Sequence, residues 1–165
     1  MKKVHPFSPV YNQWSHILIL GSLPSIASVE RGFYYMHPQN RFWKVLSKIY
    51  EEDAYSMDIQ GKTDFILKHH LALYDVVFFC DIKNSSDASI ENVVCTDIEE
   101  ILKDSSIERI LLNGNKAYTL FCKAYPQLKD IALPLPSTSS ANARVSLDEL
   151  SRVWEDALLK RNILI

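Results

Sequence analysis

The sequence predicts a three-layer α/β/α domain built on a central four-stranded, mostly parallel sheet, and three observations carry that expectation. Four short apolar runs recur along the chain, each nearly continuous rather than alternating, as strands covered on both faces are. Segments with helical spacing separate them, the strand-helix order that crossovers between parallel strands require. A length of 165 residues, with 47% hydrophobic and 23% charged content, suits one domain over 1–165 whose core covers both sides of a sheet.

The apolar runs are His16 to Leu20, Leu73 to Phe79, Arg109 to Asn113 and Ile131 to Leu135. Gly21 follows the first and permits a tight backbone turn, and Pro24 prevents the strand from continuing. Helices are expected over Asn40 to Glu51, Lys62 to His70, Asp97 to Lys103, Asn115 to Ala124 and Leu147 to Arg161. Two helix starts carry capping-box pairs, Thr96 with Glu99 and Ser146 with Glu149, in which hydroxyl and carboxylate satisfy orphan backbone donors reciprocally. In the last helix Leu147, Leu150, Trp154, Ala157 and Leu158 share a face, which assigns Trp154 to packing.

Ligands of an open parallel sheet bind beyond the carboxyl ends of its strands. The loops expected there are Gly21 to Ser25, Cys80 to Ser86, Asn113 to Asn115 and Pro136 to Arg144. The last holds Ser137, Thr138, Ser139 and Ser140, small hydroxyl residues that suit phosphate contact or, equally, a polar linker. Asn113 either reads a base edge or caps the helix that follows it. Asp75 lies within an apolar strand, a costly place for a carboxylate without hydrogen bonds; it reads as a structural anchor first and a catalytic acid second. His37 beside Pro38 is a packing or phosphate-contacting group, with general base as the alternative.

Composition narrows the class further. The opening MKKVHPFSPVY has no apolar stretch of signal length, and no window approaches the roughly 18 apolar residues of a membrane span, so a cytoplasmic, membrane-free protein is expected. Cys80, Cys95 and Cys122 show no paired ligand spacing and are fewer than the four thiolates of a typical iron–sulfur cluster. Neither metal, cluster nor other cofactor is expected. The formal net charge is −2, yet from Arg31 to Tyr50 the chain carries Arg31, Arg41, Lys44 and Lys48 and no acidic residue. With Tyr34, Tyr35, Asn40, Phe42 and Trp43 interleaved, this segment offers groups for base stacking and phosphate contact; a solvated helix face is the plainer alternative.

Five blocks then take on meaning together: HPFSPVYNQWSHILILGSLPS, YYMHPQNRFWKVL, LYDVVFFCDIKNSSDASI, RILLNGNKA and LPSTSSANA. In this order they resemble the uracil-DNA glycosylase superfamily, and most closely its hypoxanthine-DNA (deoxyinosine) glycosylases. The resemblance covers nearly the whole chain. It implies a uracil-DNA glycosylase-like sheet, damaged DNA as partner with the deaminated base flipped out, hydrolysis of the N-glycosidic bond, and base-excision repair as the setting. It places Gly21, Ser22 and Leu23 at the water-activating motif, against the base, with Pro24 and Ser25 beside DNA. Leu23 stands where mismatch-specific relatives carry asparagine, and Leu135 where uracil-specific relatives carry histidine. The hypoxanthine branch is similar in lacking both and in relying on an asparagine of the second block, which maps onto Asn40 as the catalytic residue, its amide accepting a hydrogen bond from water.

The same resemblance assigns Tyr35 or Phe79 to stacking on the extruded base and Asn113 to the substrate. Arg41, Ser137, Ser139, Ser140 and Arg144 fall to the DNA backbone. A monofunctional enzyme acting as a monomer and leaving an abasic site is expected. The alternatives are a uracil or mismatch-specific DNA glycosylase, and a nucleic-acid-binding domain without chemistry.

Overall fold

A computed structural model describes residues 2–82 and 90–159 of the chain. Its strands are β1 (Lys2–Val4), β2 (Ile17–Gly21), β3 (Leu71–Asp75), β4 (Val77–Ile82), β5 (Ile90–Cys95), β6 (Arg109–Asn113) and β7 (Ala132–Leu135). The helices are α1 (Ile26–Arg31), α2 (Phe42–Tyr50), α3 (Ile59–Lys68), α4 (Ile98–Lys103), α5 (Asn115–Ala124) and α6 (Leu147–Leu159). Strands β3, β2, β6 and β7 lie side by side in that order, every pair parallel. All residues of β2 and β3 are buried. Successive strand residues face opposite sides, so this sheet is covered on both faces, and the three-layer expectation holds. No helix among the described residues is long and apolar enough to cross a membrane.

The expected strand Leu73 to Phe79 divides into two. Pairing with β2 ends at Asp75, where the Val76 and Val77 N–H groups donate to the Gly21 and Ser22 carbonyls at 2.8 and 3.0 Å. The chain then enters a second sheet, in the antiparallel order β1-β4-β5. Hydrophobicity could not mark this switch, because Val76 and Val77 are both buried. β5 is likewise silent in the pattern, with Glu91 and Asn92 interrupting it. The loop that leaves the parallel sheet beside β2 is therefore the turn at Val76; of the expected Cys80 to Ser86 loop, residues 80–82 belong to β4 and residues 83–86 lie outside the described ones.

Helix starts also shift. Asp97, not Thr96, caps α4 by accepting the Glu100 N–H at 3.2 Å. The buried Thr96 hydroxyl instead donates to the Asp75 carbonyl at 2.8 Å and helps tie down the end of β3. Ser146 accepts the Glu149 N–H at 3.1 Å, as expected of a cap. α1 has no counterpart in the predicted elements; Ser25 opens it by accepting the Ser28 N–H at 3.1 Å.

Trp154 of α6 is wholly buried, edge-on to Phe42 of α2 at 5.9 Å, and its indole N–H donates to the Pro136 carbonyl at 3.0 Å. One side chain thus joins α2, α6 and the loop after β7. Trp154→Ala is expected to cost about 3–5 kcal/mol of stability, measured as the change in urea midpoint at constant slope.

Candidate active site

A cavity of about 410 Å³ opens at the carboxyl ends of β2, β3, β6 and β7. That volume falls in the usual range for small-molecule sites. The turn after β2 lines one side with Gly21, Ser22, Leu23, Pro24 and Ser25; Asp75 and Asn113 come from the strand ends, Tyr35 and Asn40 from the segment before α2, and Ser137, Thr138 and Ser139 from the loop after β7. The start of α5 adds Gly114, Asn115 and Lys116. Gly114 has φ +97°, a conformation that favours glycine, and a Cβ there would crowd Ser137 Cβ at 3.2 Å.

A directed chain of hydrogen bonds crosses this wall. The Thr138 N–H donates to Asn113 Oδ1 at 3.0 Å, which fixes the Asn113 amide with its nitrogen toward Thr138 Oγ1, also at 3.0 Å. Thr138 Oγ1, accepting that bond, gives its own proton to Asn40 Oδ1 at 2.8 Å. Asn40 Oδ1 also accepts the Phe42 N–H at 2.9 Å. A backbone N–H only donates, so the amide orientation at each end is unambiguous. The consequence corrects one expectation: the Asn40 oxygen is occupied by two protein donors, and the polar atom it leaves for the cavity is Nδ2, a donor. Asn113 does not cap α5, whose N-cap is Gly114 without a side-chain bond.

The floor is built around Gly21. A Cβ there would lie 2.6 Å from Asp75 Oδ1 and 3.0 Å from Tyr35 Oη, so glycine is required by space. Asp75 Oδ2 is 2.8 Å from His5 Nε2, and His5 Nδ1 is 2.7 Å from the Phe7 carbonyl. Tyr35 has φ +56°, a strained backbone for a side chain of its size. Its ring stacks on Phe42 with centroids 4.0 Å apart, and its hydroxyl is buried without a well-formed hydrogen bond. Burial, reinforced by the Asp75 carboxylate, pushes the Tyr35 phenol far above the ordinary tyrosine range, so it keeps its proton.

Other expected site residues fall elsewhere. The half-buried Arg41 guanidinium donates to the Val145 and Asn142 carbonyls at 2.5 and 2.9 Å. These two bonds brace the loop after β7. Ser140 and Arg144 are exposed and stand outside the cavity lining. Phe79 lies in β4, and its side chain is outside the described residues. His37 is exposed and accepts the Gln39 N–H. Trp43 is a core residue, its indole N–H donating to the Tyr34 carbonyl; Tyr34 is buried too, its hydroxyl donating to the Ser8 carbonyl, but it does border the cavity. Leu135 is buried in β7, away from this cavity. His5 and Lys116 were not legible as site residues, since their placement depends on chain folding rather than on a local motif. Among the described residues, no group of His, Cys, Asp and Glu is arranged to hold a metal ion.

A parallel sheet whose strand ends enclose a cavity of this size defines the chain as an α/β protein with its ligand site in the usual place for an open parallel sheet. The profile of the Uracil DNA glycosylase superfamily matches residues 8–158, and the chain belongs to that superfamily. It is 34% identical over 161 residues to a protein named hypoxanthine DNA glycosylase from Methanosarcina barkeri, covering 95% of this chain and 98% of that one. A protein of the same name from Methanosarcina acetivorans is 31% identical over 154 residues, covering 90% and 94%. The solution NMR structure of a Methanosarcina acetivorans protein, described as a candidate uracil DNA glycosylase, superposes with a TM-score of 0.80 at 30% identity, covering 96% of this chain and 97% of that one.

Thr138→Val keeps the shape of the wall but removes its central hydroxyl. It is expected to cost about 1–3 kcal/mol through the unpaired Asn113 amide, read by urea denaturation, and to free the Asn40 amide to rotate.

Proposed function

We propose that this chain is a monofunctional DNA glycosylase that hydrolyses the N-glycosidic bond of deoxyinosine and releases hypoxanthine. What carries the reading is similarity along nearly the whole chain to two proteins of that name, joined to a cavity of base-accommodating size in which Asn40 is held by its oxygen. A base inside a duplex is out of reach, so the nucleotide must leave the stack; a weakly paired deaminated base does so at the smallest cost.

The chemistry that fits the site is dissociative. The bond between C1′ and the base nitrogen lengthens, its electron pair departing with the purine and leaving an oxocarbenium-like sugar. Asn40 Nδ2–H is the positioned donor for the negative charge growing on the base. Asn115 and Lys116, at the start of α5 where no side chain caps the helix, line the same cavity. Water then adds its oxygen to C1′ and its proton passes to the departed base or to solvent, giving an abasic sugar and free hypoxanthine. Fixed dipoles suit this path because they stabilise developing charge without reorganising. Ser22 to Ser25 and Ser137 to Ser139, which line the cavity, would grip the DNA backbone, with the exposed Arg144 outside the lining.

Purified protein incubated with end-labelled duplexes containing one deoxyinosine or one deoxyuridine, then treated with alkali, tests the reading; strand breaks chiefly at deoxyinosine are expected. A preference for deoxyuridine would reassign the substrate. Asn40→Ala should lower the single-turnover rate about 10²–10³-fold, as loss of one oxyanion-type donor does, with lesion-DNA affinity retained. Asn40→Asp, which offers the cavity an acceptor instead, should be as inactive; a faster Asp variant would assign Asn40 to water activation.

A further inference from the structure

We propose that Asp75, pinned by His5, is the residue that tells a deaminated base from its parent: a hydrogen-bond acceptor of fixed polarity awaiting the ring N–H that deamination creates. The proposal rests on the glycosylase reading above and deepens it.

The polarity follows from proton counting. The Phe7 carbonyl only accepts, so the hydrogen on His5 Nδ1 is spent there. Two lone pairs at 2.8 Å would repel, so Nε2 and Asp75 Oδ2 hold one proton between them. Whether that proton sits on nitrogen or on oxygen, it occupies the Oδ2 side. Oδ1 is an acceptor in both cases. Both side chains are almost wholly buried, and Oδ1, beside Gly21 on the cavity floor, has no hydrogen-bond partner among the described residues.

A ligand is also implied by the neighbour across Gly21. Tyr35 Oη is buried without a well-formed hydrogen bond, with the Asp75 carboxylate and the Asn113 amide among its polar neighbours, and a bound polar edge would relieve that cost. Asp75 Oδ1 and Tyr35 Oη both border Gly21, 2.6 and 3.0 Å from where a Cβ there would stand, an acceptor and a hydroxyl of the kinds that a lactam edge of N–H next to C=O requires. Adenine N1 and cytosine N3 are acceptors; replacement of their exocyclic amine by oxygen puts a hydrogen on that ring nitrogen. A fixed acceptor therefore favours hypoxanthine over adenine and uracil over cytosine. Guanine and thymine already carry a ring N–H, so their exclusion falls to shape.

His5 has a further consequence. A lone carboxylate against the base would oppose the negative charge that grows there as the bond breaks. The shared proton makes the His5–Asp75 pair neutral as a unit, so the acceptor is kept without a net charge.

The test uses full-length protein with Asp75→Leu, Asp75→Asn and His5→Gln. Deoxyinosine cleavage by the unaltered protein examines the glycosylase reading alone. Calorimetric titration with free hypoxanthine and free adenine examines the acceptor without requiring turnover. The unaltered protein should prefer hypoxanthine. Asp75→Leu should abolish that preference and lower kcat/KM for deoxyinosine about 100-fold or more. Asp75→Asn, whose amide nitrogen can donate to a neutral His5 and leave its oxygen on the cavity, should stay within about 10-fold and keep the preference. His5→Gln should lower kcat with KM little changed. The idea is overturned if Asp75→Leu melts normally yet still prefers hypoxanthine, or if Asn and Leu fall alike, which would make charge the active property. Should Asp75→Leu not fold, the Asn and Gln variants still decide: loss of the base preference in Asp75→Asn, or an undiminished kcat in His5→Gln, refutes it.

Discussion

The Thr138 hydroxyl has one proton to give and no solvent to give it to, and the arrangement of the cavity wall depends on where that proton goes. Asn113 donates to the oxygen, so the proton goes to Asn40. The loop after β7, the end of β6 and the segment before α2 are joined through this one buried group. Reversing any member would put a donor against a donor or leave a buried polar atom bare, each costing about 1–3 kcal/mol. A wall of this kind has one polarity, and hence one chemical use: it offers the cavity an amide N–H.

The second sheet has a comparable logic. β1 pairs with β4 up to Val4 opposite Phe79, and the His5 N–H continues the pattern to the Phe78 carbonyl at 2.6 Å. This registration carries a histidine from the fifth position of the chain to a carboxylate 70 residues away. Phe7, Tyr34 and Tyr74 surround its ring at 4.7 to 6.0 Å, which excludes water from the pair. A buried carboxylate is tolerated only with such a partner. The small antiparallel sheet thus contributes to the floor of a site that sits on the parallel one.

What could be read from the sequence follows from how local each signal is. β2, β6, β7 and the amphipathic α2, α5 and α6 announce themselves within a few residues, and the glycine turn and the serine loop stand out because each departs from what a plain core segment needs, whereas Asn40 is singled out by the resemblance of its block. Asp75 drew notice for the same reason, but its partner did not, because nothing near His5 in the chain refers to a strand that forms 70 residues later. Arg41 shows what a local reading leaves out. Its charge and neighbours suit phosphate, yet its guanidinium finds two loop carbonyls that need donors. The antiparallel switch at Val76 was hidden because both sheets bury the residues around it.

The leucines at two motif positions now have a physical reading. Leu23 gives the cavity an apolar wall, and Leu135 lies in the core, so neither supplies the polar groups found there in relatives of other specificity. An apolar wall strengthens the hydrogen bonds that remain, since less water competes for Asn40 and Asp75. With the Asn40 oxygen held by two donors and the Asp75 pair neutral as a unit, no group identified on this wall is free to act as a strong base toward water. The rate must then come from easing departure of the base, which a fixed N–H favours and which a purine, able to spread charge over two rings, accommodates. In the proposed mechanism selection and catalysis are divided accordingly: Asp75 and Tyr35 meet the edge that identifies the lesion, and Asn40 meets the charge that appears only as the bond breaks.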